Sequence, residues 1–165
     1  MNDKNSSDRG GAVYDDSTPR WFAFFTVFWA VVGMGAGLWI ALELAFWQLN
    51  LDSPYISFGR LRPVHTNAVI FAFTANGLFA GIYYSLQRVC KTRTFSDLLS
   101  KIHLWGWQLL IVADALLLVT GHTDGKEYAE PVFILDIAIA VLWVIFAINF
   151  FGTIAIRKVK HMYVA

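Results

Sequence analysis

The sequence has few charged residues, little excess of either sign and a single cysteine. Charged residues make up 15% of the 165 positions, and the formal net charge is only +1. A nucleic-acid-binding protein carries a strong basic footprint, so this balance excludes a nucleic acid as partner. The one cysteine, Cys90, cannot form an intrachain disulfide, and no Cys-x-x-Cys-His motif is present for covalent attachment of a c-type haem.

The beginning of the chain lacks the pattern of a secretion signal. Residues 1–20 are polar and mixed in charge, and the apolar run after them is too long for the hydrophobic region of a signal peptide. Such a composition is typical of a segment that does not fold alone. We therefore predict a flexible leader over residues 1–20 and a folded part over residues 21–165.

Apolar residues are abundant, at 57% hydrophobic and 16% aromatic, which is too apolar for an ordinary soluble domain. They form four long runs that reach or approach the roughly 20 residues needed to cross a bilayer. Backbone polar groups have no water to bind in lipid, so each run predicts a helix. The predicted fold is an all-α integral membrane protein with four transmembrane helices, at about residues 21–49, 61–87, 101–120 and 131–156.

Lysine and arginine are distributed unevenly between the two sides of this topology. Three lie before the first helix, four lie between the second and third helices or at the start of the third, and three follow the fourth helix. The remaining three are Arg60, Arg62 and Lys126. Because cytoplasmic loops carry an excess of positive charge, this distribution predicts a multi-pass protein with both termini in the cytoplasm.

A histidine stands just inside the second apolar run. His65 follows Arg60, Arg62 and Pro63, and proline suits the first turn of a helix. An ionisable side chain about one turn into the hydrocarbon is costly and needs a partner. The residues below it on the same helix face are small, which leaves room for a flat, bulky group. The residues alone leave three roles open: a hydrogen bond to another helix, an axial ligand of haem, or a metal or proton-relay site.

Three acidic residues and three glycines complete the candidate features. Glu127 and Glu130, three residues apart in an outer loop, can bind a hard cation such as calcium or be plain solvated charges. Asp114 lies deeper, where it either pairs with a polar group of another helix or joins a proton path. In the first helix, small residues predict close approach of a neighbouring helix; they are Gly33, Gly35 and Gly37.

Several motifs in sequence order resemble the catalytic subunit I of cbb3-type haem-copper cytochrome c oxidases. They are FGRLRPVHTNAVIFAF at 58–73, YYS with QR at 83–88, WGWQ at 105–108, GKEYAE at 125–130 and KVKHMYV at 158–164. The resemblance covers residues 21–165. It implies that the chain corresponds to the first four of about twelve transmembrane helices.

The resemblance also implies site residues and cofactors. His65 matches the histidine that is an axial ligand of the low-spin haem b iron. Glu127 matches a glutamate that binds a calcium ion bridging the haem propionates, with Glu130 as a second, weaker candidate. Arg60 and Arg62 suit charge-assisted pairing with the propionates.

The complete family enzyme takes electrons from cytochrome c, reduces oxygen to water and pumps protons in the bacterial inner membrane, together with membrane-anchored c-type cytochrome subunits. Its second haem b histidine, its high-spin haem ligand and its copper ligands lie on later helices. The other histidines here, His103, His122 and His161, are predicted at membrane edges, outside those motifs. We therefore expect no catalytic residue in this segment, no activity of the chain alone, and a truncated or split subunit completed by the remainder of subunit I or a complementing chain.

Two alternatives remain from the sequence. The large subunit of nitric oxide reductase shares the helix-two histidine and an acidic loop, although the sequences of the GKEYAE and KVKHMYV motifs favour the cbb3-type family over it. A haem-free four-helix scaffold or assembly protein would use the same apolar runs without binding a cofactor. Substitution of His65 distinguishes this last alternative, because a scaffold should tolerate it.

Overall fold

The computed structural model describes residues 13–126 and 129–161. Within these ranges the chain is helical, apart from loops and one isolated bridge between Lys126 and Ala129. The α-helices are α1 (Ser17–Ala45), α2 (Phe58–Asn67), α3 (Ala75–Cys90), α4 (Asp97–Thr120) and α5 (Phe133–Ala155). A 3-10 turn, Trp47–Asn50, follows α1, and a π-helical segment, Ala68–Thr74, joins α2 to α3.

Four helical spans are long and apolar enough to cross a membrane: α1, the continuous stretch Phe58–Cys90, α4 and α5. The predicted all-α, four-span architecture is confirmed. The boundaries differ from the predicted ones, since α1 begins at Ser17, inside the segment predicted as a leader, and ends at Ala45. Pro19 in the first turn of α1 favours this earlier start. Residues 1–12 of the predicted leader lie outside the described residues.

The core of the bundle is an aromatic cluster around His103 of α4. The side chain of His103 is 0% exposed. Five aromatic rings have centroids 4.4 to 5.9 Å from its imidazole; they are Phe22, Phe79, Tyr83, Trp107 and Phe146. His103 therefore faces the neighbouring helices and not the lipid. The prediction that it lies at the membrane edge concerns its depth in the bilayer, and it stays a prediction.

Side-chain amides and indoles connect the spans inside the bundle. The Gln108 amide donates to Asn76 Oδ1 at 2.8 Å and accepts from the Trp29 indole at 2.8 Å, so three spans meet at one glutamine. The Trp107 indole donates to the carbonyl of Phe71, in the π-helical segment, at 2.9 Å. Inside lipid, packing and such hydrogen bonds replace the hydrophobic driving force between helices.

The segment before α1 is fixed to the end of α3. The Asp15 backbone N–H donates to Gln87 Oε1, and Gln87 Nε2 donates back to the Asp15 carbonyl, both at 2.8 Å. Arg88 forms a two-pronged ion pair with Asp16 at 3.0 and 3.1 Å, and its guanidinium lies 3.4 Å from the centroid of the Tyr84 ring. The hydrogen bond from Arg88 lowers the pKa of the Asp16 carboxyl below its usual 3.8.

This docking is expected to depend on pH in the acid range. A carboxyl whose pKa is lower in the docked state favours docking above its ordinary pKa, and loses that contribution as the pH falls through the lowered value. A nitroxide label at Val13→Cys, with the buried Cys90 left unlabelled, should be immobile at pH 7 and become mobile only below about pH 4. The Asp16→Asn variant should already be more mobile at pH 7; equal mobility of both proteins at every pH would contradict the prediction.

Candidate functional site

The His65 imidazole is held by a backbone carbonyl of α1. Its Nδ1 lies 2.7 Å from the Gly33 oxygen, and a carbonyl oxygen only accepts, so Nδ1 carries the hydrogen and donates it. When the ring is neutral, its lone pair is on Nε2. In the described part of the chain, Nε2 has no hydrogen-bond partner. The ring is only partly buried. This is the tautomer in which a histidine can bind a metal through Nε2 while a second group orients it.

Glycines of α1 make room for this ring. A Cβ added at Gly37 would lie 2.6 Å from Cε1 of His65, closer than non-bonded carbon atoms approach, and 3.1 Å from Nε2, which is a tight contact. A Cβ at Gly33 would lie 3.3 Å from the Cβ of Ala68, whereas one at Gly35 would meet nothing within 4 Å. The glycines therefore allow close approach of α1 and the second span, and Gly37 makes space for the imidazole itself.

Side chains that follow His65 form hydrogen bonds with backbone carbonyls that precede it in α2. Asn67 Nδ2 donates to the Pro63 carbonyl at 2.9 Å, and Thr66 Oγ1 donates to the Arg62 carbonyl at 3.0 Å. The π-helical segment begins immediately afterwards, at Ala68. Single π-helical turns inside α-helices occur often at functional sites, because they change which residues face a neighbouring helix.

The two arginines before His65 occupy different surroundings. The Arg60 guanidinium lies against Gly121, which ends α4 with a φ of +91°. The last carbonyls of a helix carry partial negative charge, which favours a cation at this position. Arg62 is exposed on α2. Of the two predicted propionate partners, Arg60 thus lies at the end of α4 and Arg62 lies at the surface.

Glu130 is the acidic residue that the structure brings to the helix of His65. Its side chain is 6% exposed, and Oε2 accepts a hydrogen bond from Asn67 Nδ2 at 3.2 Å. Its backbone carbonyl accepts from Thr123 Oγ1 at 3.0 Å, which closes the loop on itself. Glu130 is therefore not a solvated charge. Glu127 lies outside the described residues, and among those described no group of three or more His, Cys, Asp or Glu side chains is arranged to hold a metal ion.

Sequence reasoning missed the partner of His65 and the role of Asn67. The acceptor for His65 is a backbone carbonyl, which no residue type indicates. Asn67 connects α2 to Glu130, and its only sequence signal is a polar side chain two residues after His65. For Asp114, a hydrogen-bonding partner was one expectation; the residue is buried, and its Oδ1 has no such partner within residues 13–126 and 129–161.

Comparison with known proteins identifies the family. The family model "Cytochrome C and Quinol oxidase polypeptide I" matches residues 18–165. The cbb3-type cytochrome c oxidase subunit CcoN1 of Stutzerimonas stutzeri is 54% identical over 92% of this chain and 32% of its own length. Cytochrome c oxidase subunit 1 of Rhodobacter capsulatus is 46% identical over 92% of this chain and 29% of its own length. A cytochrome c oxidase subunit 1 homolog of Agrobacterium tumefaciens (strain T37) is 44% identical over 92% and 28%.

The chain spans about a third of the length of the curated relatives it matches. Within that third, the match includes both the helix that carries His65 and the loop that carries Glu130. The resemblance to cbb3-type subunit I is confirmed by the family model and by identity above one half with a cbb3-type relative. The chain belongs to the cytochrome c and quinol oxidase polypeptide I family.

Proposed function

We propose that this chain is the N-terminal third of the catalytic subunit of a cbb3-type cytochrome c oxidase, and that His65 is an axial ligand of its low-spin haem b. The observation that carries the proposal is the 2.7 Å hydrogen bond from His65 Nδ1 to the Gly33 carbonyl. That bond fixes the tautomer, so Nε2 is the atom left to bind iron. The complete oxidase transfers electrons from cytochrome c to oxygen and pumps protons.

The residues present fit a haem. The imidazole is oriented by a carbonyl and only partly covered, and in its neutral form it meets the requirements for an axial ligand. A bound haem supplies one-electron transfer towards the oxygen-reducing site. His65 binds the iron, Gly33 orients the ring, and Gly37 leaves the space in which the ring lies.

The acidic loop and the arginines belong to the haem edge in this proposal. Asn67 donates to Oε2 of Glu130. Within residues 13–126 and 129–161 no hydrogen bond reaches Oε1, which would bind a cation such as calcium, with Glu127 as the main ligand. Arg60 and Arg62 precede His65 in α2. They provide charge-assisted hydrogen bonds for the haem propionates. The copper and the high-spin haem belong to helices beyond this segment.

The membrane arrangement follows from the same proposal. Four spans place the two ends of the folded part on one side, and the excess of lysine and arginine on that side makes it cytoplasmic. The protein is then a multi-pass component of the bacterial inner membrane. Its partners are the remainder of subunit I or a complementing chain, membrane-anchored c-type cytochrome subunits, cytochrome c and the surrounding lipid. Alone, the chain does not reduce oxygen.

A complementation experiment tests this function. Cells that produce this sequence together with the remaining subunit I helices and the cytochrome subunits should show a low-spin haem b signal and cytochrome c-dependent oxygen uptake. Both should be absent when this segment is omitted, because the haem then lacks the axial ligand His65 and the helix α1 that orients it. The segment alone should give no oxygen uptake. A low-spin haem b of unchanged intensity without the segment would overturn the proposal.

A further inference from the structure

An open groove of about 410 Å³ lies between the first turns of α1 and the last turns of α3. Small residues line the part that lies deeper in the spans; they are Ala23 of α1, with Ala80 and Gly81 of α3. A Cβ added at Gly81 would meet nothing within 4 Å, so no side chain of the described residues fills this part. A flexible apolar chain, such as the acyl chain of a lipid, can therefore enter between the two spans.

Three charged residues line the end of the groove that is nearest to the helix ends, and their formal charges sum to +1. Arg88 and Asp16 form a two-pronged ion pair, so their charges offset each other. The third residue is Arg20, which is exposed and whose guanidinium has no hydrogen bond or ion pair within residues 13–126 and 129–161. The groove thus joins an uncompensated cation to an apolar floor, and its complement is an anion that carries an apolar chain.

Aromatic side chains indicate that this end of the bundle lies at the depth of the lipid headgroups. Trp21, Tyr84 and Trp105 are exposed here, and the rings of Trp21 and Trp105 have centroids 5.8 Å apart. Tryptophan and tyrosine are enriched where the hydrocarbon of a bilayer meets the headgroups. Because Arg20 directly precedes Trp21, its guanidinium reaches the level at which a phospholipid carries its phosphate.

A second groove, on the surface of α1, also borders Arg20. It has a volume of about 480 Å³ and is lined by Ser17, Trp21 and Phe24 together with Arg20. Arg20 therefore belongs to both grooves. A cation with an apolar groove on each side suits a headgroup that carries two acyl chains, whereas a free phosphate ion would leave both apolar surfaces uncovered.

We propose that the two grooves bind an anionic phospholipid, with its phosphate on the guanidinium of Arg20 and its acyl chains in the grooves. Hydrogen bonds between a guanidinium and a phosphate are charge-assisted, and basic pockets between spans bind anionic headgroups in this way. The site is remote from the proposed haem ligand: Gly37, which makes space for His65, lies about 25 Å from Arg20 along α1, at roughly 1.5 Å per residue. Lipid binding therefore requires neither haem nor calcium.

Photo-crosslinking of the assembled complex tests the site without any substitution. The complex is reconstituted in phosphatidylcholine vesicles that contain a trace of phosphatidylglycerol with a diazirine in one acyl chain, and mass spectrometry maps the labelled peptides. We expect label at Ala23 or at Ala80 and Gly81, and roughly fivefold less label with a phosphatidylcholine probe of the same acyl chains. Equal labelling by the two probes, or no label in these peptides because protein covers the grooves, would overturn the proposal.

Substitution of Arg20 tests the position of the headgroup. Arg20→Gln should lower labelling by the phosphatidylglycerol probe about fivefold, and Arg20→Lys should restore most of it because the charge returns. The matched control is Lys101→Gln, since Lys101 is an exposed cation near the start of α4 and lines neither groove. This control should be labelled like the native complex. Labelling that is unchanged in Arg20→Gln would contradict the site.

Inorganic phosphate distinguishes a lipid site from a site for the free ion. Added phosphate should reduce labelling no more than sodium chloride of the same ionic strength, because only a lipid fills the apolar grooves. A specific loss of label with phosphate would overturn the proposal. The readout is a labelled peptide and contains no haem, so a failure of the function proposed above and a failure of this site are distinguishable.

Discussion

Replacing His65 with alanine is expected to abolish the low-spin haem b signal of the assembled oxidase. Alanine removes the only atom of this segment that we assign to the iron, and a low-spin six-coordinate haem needs both axial ligands. Cytochrome c-dependent oxygen uptake should fall to the background level, because in the proposed oxidase electrons would reach the oxygen-reducing site through this haem. Reduced-minus-oxidised absorption spectra and electron paramagnetic resonance of purified complexes measure the loss.

The matched control is His122→Ala. His122 is exposed in the loop after α4, and its Nδ1 lies 3.1 Å from Thr120 Oγ1, within hydrogen-bond distance. This variant should keep the haem spectrum and the oxygen uptake. Assembly of the His65→Ala complex, shown by co-purification of the cytochrome subunits, separates ligand loss from failure to fold. A His65→Ala complex with an unchanged low-spin haem would support the haem-free scaffold and exclude the role proposed for His65.

The number and type of the membrane spans could be predicted because they depend on local composition. Each span is a long apolar run, and a bilayer leaves the backbone no option but a helix. The π-helical segment Ala68–Thr74 was not predictable in this way, because its residues are as apolar as those of an α-helix. The surroundings of His103 were missed for a related reason: a histidine near tryptophans suggests the membrane interface, and only the packing of the spans shows that aromatic rings surround it.

His65 could be proposed as a ligand from the sequence, whereas the groups that support its side chain could not be predicted. His65 stood out because an ionisable side chain inside an apolar run is rare and costly. Its partner, the Gly33 carbonyl, has no sequence signal, since every residue has a carbonyl. The buried Glu130 likewise has a hydrogen-bond partner, Asn67, that is distant along the chain and that no sequence motif indicates. Long-range contacts between spans set both features. The role of Glu127 stays a prediction.

Replacing Gly37 with alanine is expected to weaken haem b binding while the four spans still assemble. The added methyl group would lie 2.6 Å from Cε1 of His65, so the imidazole or α1 must move. Overpacking of this kind costs about 1–3 kcal/mol, which corresponds to roughly five- to 150-fold weaker binding if the whole cost falls on the haem-bound state. The haem b content of purified complexes, with its absorption maximum and midpoint potential, measures the effect.

Gly35→Ala distinguishes this steric effect from a general effect on α1. Gly35 lies two residues away in the same helix, and a Cβ there would meet nothing within 4 Å. Both substitutions raise helix propensity equally, so any difference between them reports the space beside the imidazole. We expect a normal haem b content in Gly35→Ala and a reduced content, or a shifted absorption maximum, in Gly37→Ala. Equal haem b in the two variants would mean that the ring moves freely, and the close packing of α1 on His65 would then have no part in holding the ligand.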